Sequence, residues 1–118
     1  MFKNTKNTFN RMVEYYAKGI NTDYYSIEYL KIRGAAYTIC VKSHCNDLIY
    51  RVTKRGKTGE LEYSICNLYF KNGVLDIRRY FNTEASNRVE LLPNKIVKSI
   101  TSIHNKIMGE ANKIKEVK

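Results

Sequence analysis

Long apolar runs are missing from this chain, as are tryptophan and any paired-cysteine framework, and each absence removes a class of protein. No stretch approaches the roughly 18 to 20 apolar residues that a membrane helix needs, so the chain reads as soluble. The opening MFKNTKNTFN contains no apolar h-region of a secretory leader. Three cysteines, Cys40, Cys45 and Cys66, are too few and odd in number for a disulfide scaffold. Together these features predict a reducing, cytoplasmic setting. Cys40, His44, Cys45 and Cys66, with His104 far off, are the only soft-metal ligands, and Cys-x3-His-Cys lacks the paired knuckles of a structural zinc site. Acidic residues stand singly, Glu60 and Glu62 being the closest strand pair, which argues against a two-metal nuclease centre. There is no Gly-x-Ser-x-Gly elbow and no dinucleotide fingerprint, and KRGKTG at 54–59 lacks the first glycine and spacing of a phosphate loop. Neither metal nor cofactor is expected.

What the chain does have is positive charge. Lysine and arginine number 21 against 11 acids, a formal net charge of +10, which points to polyanionic partners. Phosphate attraction with counterion release needs clustered cations, and clusters exist. Arg51, Lys54, Arg55 and Lys57 lie close together, Arg78 and Arg79 are adjacent, and Lys95, Lys98, Lys106 and Lys113 recur near the end. The plain alternative is that these cations only solvate the surface.

With 118 residues and 43% hydrophobic content the chain is the size of one domain, residues 1–118. Phe9, Met12, Val13 and Tyr16 fall at helical spacing before Gly19, which predicts a helix over about 5–18. NTDYYSIEYLKIRG is ambiguous: Thr22 could cap a short helix, but the tyrosine and isoleucine content favours a strand. Tyr37, Ile39 and Val41 then alternate with polar residues, as do Leu48, Tyr50 and Val52, and two further strands follow within a sheet over about 24–81. Ile96, Ile100, Ile103, Ile107 and Ile114 predict an amphipathic helix over about 93–115, with Pro93 in its first turn and lysines on its other side. Its isoleucines can pack on the sheet or form the seam of a homodimer. The expected class is α+β: an antiparallel sheet of four to five strands flanked by an N-terminal helix and a long C-terminal helix.

Asn72-Gly73 fits a two-residue type I′ hairpin, whose register pairs Lys71 with Val74, Leu68 with Ile77, Asn67 with Arg78 and Cys66 with Arg79. Leu68, Phe70, Leu75, Ile77 and Phe81 should then face the core. Tyr63, Asn67, Tyr69, Asp76, Arg78 and Tyr80 should face outward. Arg79 would leave the core side at the hairpin's far end, its stem on apolar neighbours. Tyrosines beside cations suit stacking on bases with contacts to phosphate. Arg51, Lys54, Arg55, Lys57, Tyr69, Arg78 and Tyr80 are therefore the candidate binding residues, with no catalytic set.

The expected function is non-catalytic contact with nucleic acid, RNA or DNA, or with an acidic or nucleoprotein partner, and not with a membrane. Two alternatives fit the same composition. Richness in Lys, Asn, Ile and Tyr suits an AT-rich coding sequence of a phage or mobile element, hence an anti-CRISPR-like inhibitor of a host defence nucleoprotein acting by protein contact. A metal-independent endoribonuclease toxin would instead use Arg51, Lys54, Arg78, Arg79 and Tyr80 as acid, base and phosphate stabiliser.

Overall fold

A computed structural model describes residues 5–55, 62–80 and 92–116. It has a helix α1 (Thr5–Ala17), five strands β1 (Tyr25–Ile32), β2 (Ala35–His44), β3 (Asp47–Arg55), β4 (Glu62–Lys71) and β5 (Val74–Tyr80), and a helix α2 (Asn94–Glu116). The strands form one antiparallel sheet in sequence order. This is the α+β arrangement expected, and the ambiguous segment after Thr22 is strand. Lys57, Phe81 and most of the KRGKTG loop lie outside the described residues. No described helix is long and apolar enough to cross a membrane.

Local chemistry explains the element ends. Gly19 has φ 71°, its N–H bonds to the Tyr16 carbonyl at 3.1 Å and the Ile20 N–H to Tyr15 at 2.9 Å, the paired bonds that close a helix on a left-handed glycine. Pro93 sits just before α2 rather than in its first turn, and its carbonyl accepts from Ile96 at 2.9 Å. Three of the strand connections are two-residue turns with positive φ at both positions: Arg33-Gly34, Cys45-Asn46 and Asn72-Gly73. Such type I′ turns match the twist of the flanking strands and hold a meander in register.

The two sheet faces differ. One carries Tyr37, Ile39, Val41, Leu48, Tyr50, Val52, Cys66, Leu68 and Ile77, all buried in a single core with Met12, Val13 and Tyr16 of α1 and the α2 residues Ile96, Ile100, Ile103, Ile107 and Ala111. Both helices therefore lie on this face. The isoleucine stripe is spent on the chain's own core as far as Ile107, and only Ile114 is exposed, at 40%. Burying each such side chain contributes about 1.5 to 3 kcal/mol, so the stripe anchors α2 to the sheet. Ser99 of α2 also donates to the Glu28 carboxylate of β1 at 2.9 Å.

Three strands carry an extra residue, and here the register departs from simple alternation. In β1, Ser26 opposes Cys40 and Glu28 opposes Ile39, leaving Ile27 as the inserted residue. In β4, Cys66 opposes Val52 while Ser64 opposes Thr53, so Ile65 is the extra one. In β5, Leu68 pairs with Ile77 but Asn67 pairs with Arg79 and Cys66 with Tyr80, leaving Arg78 in a bulge. The expected pairs Asn67 with Arg78 and Cys66 with Arg79 are thus wrong by one residue. A bulge places two residues opposite one and reverses the alternation beyond it. Tyr80 accordingly takes a register position opposite the core residue Cys66, and Tyr63 one opposite Lys54; the side chains of both, expected outward, lie outside the described residues.

Candidate nucleic-acid interface

The second face of the sheet carries no described helix. Its rows follow from the register: Lys42, Ile49, Tyr69 and Asp76 run across β2 to β5, and Ser26, Cys40, Arg51 and Asn67 across β1 to β4. Ile49 is only 6% exposed although it lies outside the core, because Lys42 and Tyr69 flank it from the neighbouring strands. It forms an apolar floor beneath charged and aromatic side chains.

Cations and rings pair on this floor. The Arg51 guanidinium lies 3.9 Å from the centroid of the Tyr24 ring, and Lys42 Nζ is 4.9 Å from the same ring. Arg51 Nε also donates to Asn67 Oδ1 across the strand gap at 3.2 Å. The exposed Arg78 guanidinium sits 4.4 Å from the centroid of Tyr69, so the bulge directs this arginine outward onto a tyrosine. Burial raises the Tyr24 hydroxyl above its ordinary range, and the charges of Arg51 and Arg78 pull it back, so both cations act on one patch. Arg78 therefore belongs to this cluster, and Arg79 takes the register position opposite Asn67, in the same helix-free row, and not the core-side position expected of it. Asp76, opposite Tyr69, is the carboxylate in the same rows.

The sequence-derived site residues divide accordingly. Arg51, Tyr69 and Arg78 lie on the same helix-free face. Arg55 occupies a position of the same alternation at the end of β3, half-buried opposite Glu62. Lys54 does not join them: it pairs with the core residue Tyr37, its Nζ 5.6 Å from that ring, and lines a cleft of about 600 Å³ with Arg33, Pro93 and Lys95 on the helix side. Lys57 and the side chain of Tyr80 fall outside what is described. Sequence reading missed Tyr24, Lys42 and Asn67 as members. Alternation in β2 signals that Lys42 faces away from the core, but nothing local brings Tyr24 beneath Arg51.

Other reactive groups are dispersed. Cys66 is buried, and desolvation pushes its thiol up to about 12, which leaves it protonated at neutral pH. Cys45 is exposed in a turn and Cys40 half-buried beside Ser26. Among the described residues, no three His, Cys, Asp or Glu side chains gather as a metal-holding group. Compared with known proteins, the chain matches no family model, no curated protein and no solved structure.

Proposed function

We propose that this protein acts without catalysis, by contacting nucleic acid or a nucleic-acid-handling complex through the helix-free face of its sheet. The observation that carries this reading is the placement of Arg51 and Lys42 on Tyr24 and of Arg78 on Tyr69, above one rigid five-stranded sheet. Cations held by rings lose little side-chain freedom when they meet a phosphate, and the net charge of +10 draws a polyanion toward them. The chemistry of a toxin-like ribonuclease would need Arg51 and Lys54 to converge, and these lie on opposite faces of β3.

The test is the salt dependence of binding. In fluorescence anisotropy with RNA and DNA probes, the double variant Arg51→Gln, Arg78→Gln should flatten the slope of log affinity against log salt by roughly 1.4 to 1.8, two phosphate contacts' worth. A double variant that folds and binds as the parent does at every salt concentration would sink the proposal.

A further inference from the structure

We infer that the occupant of this face is single-stranded nucleic acid, its bases stacked on Tyr69 and its phosphates held by Arg51, Arg78 and Lys42. The inference rests on the nucleic-acid reading above and goes further, because it assigns the bases and not only the phosphates. Three observations support it. From β1 to β5 the face is about 19 Å wide, four interstrand gaps of about 4.8 Å. Reading a duplex through its major groove, about 12 Å wide, needs an element that enters it, such as a helix or a two-stranded ribbon, and a five-stranded face is too broad to enter. An opened strand can lie flat across it.

The second observation is the pairing of cations with rings. Guanidiniums 3.9 Å and 4.4 Å from tyrosine centroids set cations for the backbone beside aromatic rings, and every base has a π-face that can stack on such a ring. The third is the polar pattern between them. Asn67 Oδ1 is occupied by Arg51, which leaves its amide nitrogen to donate to a base edge. Asp76 opposite Tyr69 would repel a phosphate there but can accept from an exocyclic amine, so over Tyr69 the site favours a base. Lys42, beside the half-buried Tyr24, remains as a phosphate contact. A platform of this width fits the short end of the roughly 4 to 16 nucleotides that small single-strand binders engage.

The experiment compares short labelled RNA and DNA single strands of mixed sequence with the matching duplexes, using the full chain and anisotropy. Single strands should bind roughly tenfold or more tightly than duplex. Tyr69→Leu should weaken them roughly 5- to 150-fold without changing the salt slope, Tyr69→Phe should retain parental affinity, and neither should alter duplex binding. The RNA and DNA arms show whether a 2′-hydroxyl adds to the contact. Equal affinity for single strands and duplexes, or a folded Tyr69→Leu that binds like the parent, overturns base stacking and leaves the cationic reading standing. If Tyr69→Leu fails to fold, the parent's preference between single strand and duplex decides the matter alone. A parent that binds no nucleic acid but captures an acidic protein overturns both.

Discussion

Replacing Tyr50 with phenylalanine removes one oxygen from the middle of the core and should be felt on another element, at His104. Tyr50 is fully buried, and its hydroxyl shares a 3.1 Å hydrogen bond with His104 Nδ1. His104 in turn stacks on Phe70 with centroids 3.8 Å apart and planes 15° from parallel. Burial holds the Tyr50 hydroxyl well above its ordinary range, so it stays protonated. Phenylalanine keeps the packing but loses a bond with a net contribution of about 0.5 to 1.5 kcal/mol and leaves a half-buried imidazole nitrogen unpaired, for a total of about 1 to 2 kcal/mol. At roughly 4 °C per kcal/mol for a domain of this size, Tm should fall by roughly 4 to 8 °C.

Desolvation also places the His104 pKa below its ordinary 6.5, which gives a pH signature. In the unfolded chain the imidazole takes a proton as pH falls through about 6.5, while in the native state it resists until its own lower pKa is reached. The contribution of His104 to stability is therefore complete above about pH 6.5 and declines as pH falls toward the native value, with a slope of at most about 1.4 kcal/mol per pH unit. Calorimetric melts at several pH values, with an NMR titration of the His104 ring, measure both effects. A Tyr50→Phe variant that melts with the parent, or a His104 that titrates at or above the value of a free histidine, would refute the buried pair.

Leu68 is 0% exposed, between Tyr50 on β3 and Ile77 on β5, so Leu68→Ala should cost about 2 to 5 kcal/mol in urea unfolding; a parental midpoint would show that the register is wrong. Ile103→Glu buries a charge against the sheet and should unfold the chain, whereas a folded variant with half the parent's mass in light scattering would place the isoleucines in a dimer seam. Cys45 holds a left-handed φ of 51° in an exposed turn, a conformation asparagine tolerates better, so Cys45→Asn should stabilise by about 0.5 to 1 kcal/mol; an unchanged Tm would argue against strain there.

Apart from the ambiguous segment that forms β1, the sequence by itself determined the order and type of the elements, because those signals are local. Apolar residues at helical spacing before Gly19, alternation through Tyr37, Ile39 and Val41, and Asn72-Gly73 at a tight turn each report on neighbours a few residues away. They also give the core face and the outward sense of Arg51, Tyr69 and Lys42. Two of the three tight turns, Arg33-Gly34 and Cys45-Asn46, carry weaker signals, since arginine and cysteine are uncommon at positive φ. Tertiary structure alone decided the rest. The bulges at Ile27, Ile65 and Arg78 insert one residue each without a glycine or proline to mark them, and each reverses which side of the sheet the following residues occupy. The candidate site depends on those insertions and on side chains meeting across strands. Tyr24 precedes β1 and Arg51 lies on β3, yet they touch because β2 spaces their strands by two interstrand gaps, a distance that chain separation does not encode.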